Sequence, residues 1–326
     1  MLAFHSDACP LDLPAGHPFP SSKYRLLREA IERDQPLVRL RAAPAASDGE
    51  LALVHTPAYL DAVAHGWLTP GQQRELGLPW SPQLAQRARR SVGATIAAAR
   101  AALVEGVAAS LSGGTHHAYA DHGGGYCVFN DVAVAARLMQ VEVHRQRRAL
   151  LRVLVIDLDV HQGDGTAAIF ADDPTVFTLS LHGARNYPSR KQPSDLDVAL
   201  ADGCGDAAYL AALDAALASA SQRLAGAEPQ LALYLAGADP HEGDRLGRLR
   251  LSFDGLAERD RRVLAWLHAR RIPVALTMAG GYGRRIDDTV AVHRRTLHEA
   301  RCCWQQWRGA AAPTRAGSKS ARPNWV

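Results

Sequence analysis

Apolar runs of strand length alternate with amphipathic helical stretches through the central and C-terminal parts of the chain. The apolar runs are rich in valine, isoleucine and leucine, which is typical of strands buried on both faces of a parallel sheet. Their alternation with helices predicts a single α/β domain, with a mainly parallel β-sheet flanked by helices on both faces. The predicted strands span residues 150–156, 175–181, 231–235 and 272–278, and the predicted helices span residues 91–109, 128–144, 206–224, 256–270 and 286–307.

Composition changes only near the end of the chain. Residues 309–326 are rich in alanine, proline, serine and arginine without a helical period, which is typical of a loose tail. No comparable break occurs earlier, so we expect one domain over residues 1–308. The tail carries three basic residues and no acid, while the formal net charge of the whole chain is +4. The body is then close to neutral, which argues against direct nucleic-acid binding because that function needs a concentrated basic face.

Cysteine use and hydropathy indicate where the protein functions. The five cysteines form no C-x-x-C pair and no repeating framework, which favours a reducing compartment over a disulfide scaffold. The first twenty residues contain four prolines and lack the basic and apolar regions of a signal peptide. No stretch approaches the roughly 18 apolar residues of a membrane helix. We therefore expect a cytoplasmic protein without a membrane span; the sequence does not specify its oligomeric state.

A polar or glycine-rich cluster follows each of the four predicted strands. The first strand leads into residues 157–165, which contain four acids and bases, and the second ends near His182. The third leads to Asp239 and the fourth to Tyr282. Because the carboxyl ends of parallel strands share one edge of a sheet, where ligands bind in open α/β folds, we expect these side chains to converge.

The first cluster contains a D-x-D-x-H run. Asp157, Asp159 and His161 are spaced by two residues, so they face the same side of an extended chain. Carboxylates gathered behind an apolar strand are costly unless a positive charge neutralises them. A divalent metal would do so, and Asp239 would complete the ligand set. The alternative is a strand-end loop whose acids cap the next helix, a role that is open to Asp164.

The composition of this ligand set bears on the type of site. Asp159, His161 and Asp239 would leave one position of a tetrahedral ion free for water or substrate, which is typical of a catalytic site. Two oxygen ligands and one nitrogen ligand suit Zn²⁺, and Fe²⁺, Mn²⁺ or Co²⁺ would also fit. The sequence does not choose among these metals.

Two adjacent histidines, His116 and His117, follow a glycine pair and offer two imidazoles from one loop. A histidine pair can also be a surface or packing feature. Here carboxylates such as Asp157 and Asp164 could bind one nitrogen of each ring and raise the basicity of the other. The pair is therefore a candidate for proton transfer beside the metal.

A second glycine-rich segment follows the histidine pair. Gly125 ends a run of three glycines, which permits close approach of the backbone to a ligand. Tyr126 comes next and could wall a narrow slot. The alternative is an ordinary flexible loop.

Six motifs, in this order, resemble those of the zinc-dependent histone deacetylases. They are G-G-T-H-H-A, G-G-G-Y-C-V-F-N-D, I-D-L-D-V-H-Q-G-D-G-T, L-S-L-H, A-G-A-D-P and A-G-G-Y-G. H-P-F-P-S-S-K-Y, N-Y-P-S-R-K and G-D-R-L-G-R-L-R-L-S resemble specifically the class IV branch and its bacterial members. The resemblance covers roughly residues 15–305. It implies the arginase–deacetylase fold and hydrolysis of an acyl-lysine amide in proteins or peptides, with an acetyl or longer fatty acyl group.

The resemblance also implies the residues of the site. The implied zinc ligands are Asp159, His161 and Asp239. The implied catalytic residues are the tandem histidines, their carboxylate partners and a phenol: His116, His117, Asp157, Asp164 and Tyr282. The implied walls of an acyl-lysine tunnel are Gly125, Tyr126 and Tyr187. The implied ligands of a structural potassium ion are Asp157, Asp159, His161, Ser180 and Leu181.

Within that set, His117 would act as general base and Tyr282 would donate to the developing oxyanion. Thr115 and Gln162 differ from the residues at these motif positions in deacetylases of the other zinc-dependent classes, which bears on the substrate and the acyl group.

Deacetylation of a small acylated amine, such as an acetylpolyamine, is an alternative function with the same chemistry. A ureohydrolase of the same fold would need a second set of metal ligands, typically D-x-H-x-D, where this chain has D-x-D-x-H. A non-enzymatic acyl-lysine binder would be expected to lack a ligand, a histidine or the tyrosine.

Overall fold

One sheet of eight strands runs through the computed structural model, which describes residues 1–310 except 8, 10, 12 and 15. The strands are β1 (Leu2–His5), β2 (Arg39–Ala42), β3 (Val107–Ser110), β4 (Val153–Asp157), β5 (Val176–Gly183), β6 (Leu196–Leu200), β7 (Leu231–Leu235) and β8 (Val274–Thr277). They lie in the order β2-β1-β3-β8-β7-β4-β5-β6, and each neighbouring pair is parallel. The predicted α/β architecture with a parallel sheet is confirmed.

Helices cover both faces of this sheet. The helices of the described residues are α1 (Lys23–Asp34), α2 (Asp48–Leu51), α3 (Pro57–His65), α4 (Pro70–Leu76), α5 (Pro82–Glu105), α6 (Asp131–Arg147), α7 (Asp164–Phe170), α8 (Asp206–Arg223), α9 (Phe253–Ala269) and α10 (Ile286–Ala310). Helices α1, α8, α9 and α10 share one apolar core with the sheet, and α2 to α7 share the other. The central strands are therefore buried on both sides.

Strand β4 shows why an unbroken apolar run predicts such a strand. Leu154 and Ile156 pack into the first core, whereas Val153 and Val155 pack into the second. Side chains of a strand alternate between the two faces, so a strand covered on both sides needs apolar residues at every position. The strand ends at Asp157, where the polar cluster begins.

The predicted helix over residues 91–109 is wrong at its C-terminal end. Helix α5 ends at Glu105, Gly106 adopts a φ of 85°, and β3 follows immediately. The segment Val107–Ser110 contains two alanines and continues the helical pattern, but it lies buried between β1 and β8. Pairing with its neighbours therefore decides its conformation over local propensity.

Helix α10 extends two residues into the segment expected to be a tail, since it ends at Ala310. The rest of that segment, residues 311–326, lies outside the described residues. Among the residues that are described, no helix is both long and apolar enough to cross a membrane.

Candidate active site

The loops that follow β4 and β7 bring three potential metal ligands together at the carboxyl edge of the sheet. These two strands are neighbours, so the residues that follow them meet as expected. Candidate ligand atoms of Asp159, His161 and Asp239 all lie within 4.8 Å of one another, and all three residues are buried. The convergence predicted from the strand ends is present for these three residues.

Both carboxylates of this group accept hydrogen bonds from the backbone. The N–H of Gly280 donates to Asp159 Oδ2 at 2.7 Å, the N–H of His161 donates to Asp159 Oδ1 at 2.9 Å, and the N–H of Val160 donates to Asp239 Oδ1 at 2.9 Å. The Nδ1 of His161 lies 3.0 Å from Asp159 Oδ1 and 3.3 Å from Asp239 Oδ2. Asp239 Oδ2 is buried and has no hydrogen-bond partner in the described part of the chain. A buried, unpartnered carboxylate oxygen beside an imidazole nitrogen fits a divalent cation.

The electrostatics of the group point the same way. Burial lowers the pKa of His161, but the neighbouring carboxylates of Asp159 and Asp239 raise it to about 10. Burial and the charge of Asp159 raise the pKa of Asp239 to about 7. Two neighbouring carboxylates at full burial therefore attract one positive charge, which a proton on the imidazole or a metal ion can supply.

The two adjacent histidines each bind a carboxylate through Nδ1. His116 Nδ1 lies 2.6 Å from Asp157 Oδ2, and His117 Nδ1 lies 2.6 Å from Asp164 Oδ1. The predicted partners are thus in contact with the predicted histidines. Asp164 begins α7 without capping it through its side chain, so its carboxylate serves the histidine instead.

Although the two histidine–carboxylate pairs look alike, the pKa of one histidine is raised above its usual value and the pKa of the other is lowered. Burial would lower the pKa of His116, but the charges of Asp157 and Asp159 raise it to about 9. Burial and the positive charge of His116 lower the pKa of His117 to about 4. At neutral pH, His117 is therefore the imidazole of the pair that is free to accept a proton.

Tyr282 comes from the loop after β8 and lies against the metal-ligand group. Its ring is edge-on to His161, with the ring centroids 6.4 Å apart. Burial and the charges of Asp159 and Asp239 raise the pKa of Tyr282 well above its usual value, so the phenol keeps its proton as a donor. The preceding Gly280 is required by close packing, because a Cβ there would collide with the Asp239 carboxylate.

The backbone of Tyr282 is fixed by two residues that were not predicted. Its N–H donates to Asp244 Oδ2 at 2.6 Å, and its carbonyl accepts from Arg245 Nε at 3.0 Å. Both residues follow Asp239 in the same loop. An acid five residues beyond a candidate ligand was the available signal, but no spacing rule links it to the tyrosine.

A cavity opens from this group to the surface, and the predicted tunnel residues line it. Gly125 has a φ of 51°, and a Cβ there would lie 2.5 Å from His117 Cδ2, so the glycine permits the close approach. Tyr187 stands edge-on to His117 at 4.8 Å between ring centroids. The residues that line this outer cavity include Arg74, Glu75, Gly125, Tyr126, Arg185, Tyr187, Leu246, Arg248 and Tyr282.

A second cavity adjoins the same group, and we call it the inner cavity. It shares Gly125, Tyr126, His117, His161 and Tyr282 with the outer cavity. The small residues before the histidine pair line it, and so do several apolar side chains. The residues in question are Phe19, Leu78, Leu84, Gly113, Gly114, Thr115 and Phe129.

The residues expected to bind potassium lie on β4, on β5 and in the loop that follows β4. Ser180 is the registered neighbour of Asp157 across these strands, and Leu181 follows it, buried. His182, which also follows the second predicted strand, does not join the metal-ligand group. Its Nδ1 lies 2.9 Å from Ser180 Oγ, and burial lowers its pKa to about 4.

Arg259 of α9 supports the ligand loops and was also not predicted. Its buried guanidinium donates to the carbonyls of Gly237 at 2.7 Å and Leu158 at 3.3 Å. These carbonyls lie close in sequence to Asp239 and Asp159. Asp260 neutralises the guanidinium at 2.8 Å. An arginine within an amphipathic helix resembles a surface residue, so the sequence offered no signal for this contact.

Two further charged residues shape the loops. Asp131 accepts hydrogen bonds from the N–H groups of Gly114 and Thr115, which fixes the turn before the histidine pair. Lys23 is buried, and its Nζ donates to the carbonyl of Ala279 at 3.1 Å. Both were present in the quoted motifs, but their contacts depend on the tertiary fold.

Comparison with known proteins places this arrangement in a family. Residues 17–297 match the model of the histone deacetylase domain. The chain is 45% identical over 297 residues to a protein of Picosynechococcus sp. described only as uncharacterized, covering 88% of this chain and 94% of that protein. It is 32% identical over 280 residues to histone deacetylase 2 of Arabidopsis thaliana, covering 82% of this chain and 70% of the relative.

The fold agrees with a solved structure. A histone deacetylase homologue from Aquifex aeolicus superposes with a TM-score of 0.73 at 24% identity, covering 96% of this chain and 84% of the other. At that identity the likeness concerns the fold alone. The domain match and the sequence relatives carry the conclusion: the chain belongs to the histone deacetylase family of hydrolases.

Proposed function

We propose that the protein hydrolyses the amide between an acyl group and the side-chain amine of lysine in proteins or peptides. The observation that carries the proposal is the position of the catalytic group. Two histidine–carboxylate pairs and Tyr282 surround the three-residue ligand group where the outer cavity meets the inner one. An amide that reaches this junction from the surface would meet a base, a hydroxyl donor and a metal site together.

The ligand group fits a single divalent ion, for which we propose Zn²⁺ held by Asp159, His161 and Asp239, with Fe²⁺ as the alternative. The donor set of two oxygens and one nitrogen supports this assignment. Bound there, such an ion supplies Lewis acidity, which activates water at neutral pH and polarises an amide carbonyl. We also propose a structural potassium ion beside β4 and β5. Its ligands would be Asp157, Asp159, His161, Ser180 and Leu181.

The protein's own residues would carry the proton transfers. His117 is neutral because of its lowered pKa, so its Nε2 can take the proton of the attacking water while Asp164 holds Nδ1. Imidazole is also able to return that proton to the leaving amine. His116, with its pKa raised by Asp157, contributes positive charge beside the reacting carbonyl.

Tyr282 would complete the site as the hydroxyl donor to the oxyanion. Its phenol stays protonated because burial and nearby carboxylates raise its pKa. A donor fixed before the reaction costs no reorganisation when negative charge develops on the substrate oxygen. The lysine stem would lie in the outer cavity against Gly125, Tyr126 and Tyr187.

For the acyl group we propose chains longer than acetyl. Gly113, Gly114 and Thr115 line the inner cavity together with apolar residues such as Phe19 and Leu84. Each buried methylene contributes about 0.8 kcal/mol, so a few additional methylenes could change specificity more than tenfold. Measuring kcat/KM for one peptide that carries acetyl-, octanoyl- or myristoyl-lysine tests this preference. If the acetyl peptide has the highest kcat/KM, the proposed preference for longer chains is wrong.

The five cysteines are free thiols, which supports a reducing, cytoplasmic compartment for this enzyme.

The experiment that tests the proposed function is a measurement of free amine released from acyl-lysine peptides and from acetylpolyamines, with and without added Zn²⁺ or Fe²⁺. Metal-dependent release from the peptides is expected. Release from the acetylpolyamines alone would assign the enzyme to small amines instead.

A further inference from the structure

We propose that the mouth of the outer cavity selects acyl-lysines that lie in acidic segments of proteins. The inference rests on the proposed function and narrows its substrate. Three arginines line the cavity, and we call them the arginine rim: Arg74, Arg185 and Arg248. All three are exposed, and Glu75 is the acid that lines the cavity beside them.

The acids near the rim do not balance its charge. Arg185 and Arg248 share one carboxylate, Asp202, at 3.6 Å and 3.1 Å. Arg74 forms no ion pair with any residue that the structure describes. Glu75, the acid that lines the outer cavity itself, contacts His122 at 3.9 Å. Counted with Asp202 and Glu75, the three arginines of the rim leave a net positive charge at the opening through which a substrate must pass.

Arg245 adds to this charge from the same loop as Arg248. It donates to the carbonyls of Tyr282 and Pro18, both at 3.0 Å, so neutral groups rather than a carboxylate hold it. Its charge is thus not cancelled by its contacts. Because it is bound to the backbone of Tyr282, which lines the outer cavity, its charge adds to the positive field at the opening.

The mouth also presents apolar surface between the arginines. Tyr187 is 44% exposed and Leu246 is 38% exposed, and both line the outer cavity. A peptide can lay its backbone and the lysine stem on these side chains while flanking carboxylates reach the guanidinium groups. Arginine suits that task because its planar donors match a carboxylate in two parallel hydrogen bonds.

The same charge disfavours the small-amine alternative. An acylpolyamine keeps ammonium groups close to its reacting amide, and these would lie beside the rim. Like charges at such distances repel, and the repulsion weakens as salt screens it. A protein segment rich in lysine and arginine would meet the same obstacle. The rim thus separates acidic from basic substrates before the chemistry begins.

The expected size of the preference follows from exposed ion pairs. Each such pair is worth about 1.5- to 5-fold in a binding constant, so two or three pairs give about tenfold together. Because the pairs are exposed, the preference should be largest at low salt and nearly absent at about 1 M salt, where the screening length is about 3 Å.

The test uses fluorescently labelled peptides with one central acyl-lysine and the same acyl group throughout. Three peptides are compared. The acyl-lysine is flanked by aspartate and glutamate in the acidic peptide, by serine and glutamine in the neutral peptide, and by lysine and arginine in the basic peptide. Binding to the zinc-loaded protein is measured by fluorescence anisotropy, and turnover is measured by amine release. We expect the acid-flanked peptide to bind about tenfold tighter than the neutral one at low salt, and the basic peptide to bind weakest.

The triple variant Arg74→Gln, Arg185→Gln, Arg248→Gln should bring the acid-to-neutral ratio of dissociation constants close to one. Arg145→Gln, Arg147→Gln, Arg148→Gln is the matched control, because it removes the same charge from exposed positions at and just after the C-terminal end of α6. That end lies at the opposite edge of the sheet, so the control should keep the wild-type ratio.

Equal binding of the three peptides at low salt, or tighter binding of the basic one, would overturn the proposal. An unchanged ratio in the rim variant, or an equal loss in the control, would overturn it too. The proposed function fails separately. If the acid-flanked peptide binds tighter but no peptide is hydrolysed, the proposed selectivity of the arginine rim is supported and the proposed acyl-lysine hydrolysis is contradicted.

Discussion

At the centre of the site, Asp159, His161 and Asp239 are at most 8% exposed, and backbone N–H groups donate to both carboxylates. At the mouth, the side chain of Arg185 is 76% exposed and Tyr187 is 44% exposed. The centre is built from loops at one edge of the sheet, and the mouth combines such loops with the end of helix α4. They differ in how much water surrounds their polar groups.

That difference predicts two kinds of mutational effect. Removing a buried group at the centre leaves its partners without a hydrogen bond or a compensating charge. It also alters interactions that act on the reacting atoms, so kcat should fall. Removing an exposed group at the mouth changes contacts made equally in the ground state and the transition state, so KM should rise. Substitutions in the two regions can therefore be told apart by their kinetics.

The largest effect is expected at the three proposed metal ligands. Asp159→Ala, His161→Ala and Asp239→Ala should each abolish turnover and metal binding, because each removes one of three protein ligands. Metal content by mass spectrometry and amine release are the measurements, with circular dichroism to confirm folding. Full activity in a wild-type sample stripped of metal by a chelator would refute the assignment.

The next largest effect separates the two histidines. His117→Ala should reduce kcat about 10²–10⁴-fold, because it removes the imidazole that is neutral at pH 7. His116→Ala should cost less, because His116 has a raised pKa and contributes charge rather than accepting a proton. Both variants should still bind metal. A larger loss for His116→Ala would reverse the assigned roles.

A smaller effect at the centre is expected from Tyr282→Phe. It removes only the hydroxyl, and the backbone contacts with Asp244 and Arg245 remain. Loss of one oxyanion donor should lower kcat about 10²–10³-fold while KM changes little. Steady-state kinetics with one acyl-lysine peptide measure both constants. Wild-type kcat in this variant would remove Tyr282 from the mechanism.

The centre was predictable from the sequence because its signal is local. Asp159 and His161 lie just beyond one apolar strand and Asp239 just beyond another, and parallel strands bring their carboxyl ends together. The pairing of His116 with Asp157 also follows from residue chemistry once the two loops are known to meet. The β3 error has the opposite cause, since its alanines carry no local information about sheet pairing.

The contacts of Lys23 and Arg259 that support the site were not predictable either, because they depend on residues far away in the sequence. Lys23 reaches a carbonyl 256 residues away, and Arg259 reaches one 101 residues away. Both are charged side chains in helices, where exposure is the usual outcome. Only the tertiary fold shows that they are buried and hold the loops of the site. The mouth likewise combines segments whose proximity has no signal in the sequence.

The smallest effect is expected at the mouth, where Tyr187 tests the comparison most directly. Its ring packs edge-on to His117, but its hydroxyl forms no hydrogen bond with the residues that the structure describes. Tyr187→Phe should therefore change kcat and KM by less than about twofold, whereas Tyr187→Ala should raise KM about three- to tenfold, in line with the roughly 0.5–1.5 kcal/mol of an aromatic contact. In neither variant should kcat change as it does in Tyr282→Phe. Steady-state kinetics on the same peptide give the split, and a fall in kcat with unchanged KM in Tyr187→Ala would show that the mouth contributes to the reacting centre as the buried residues do.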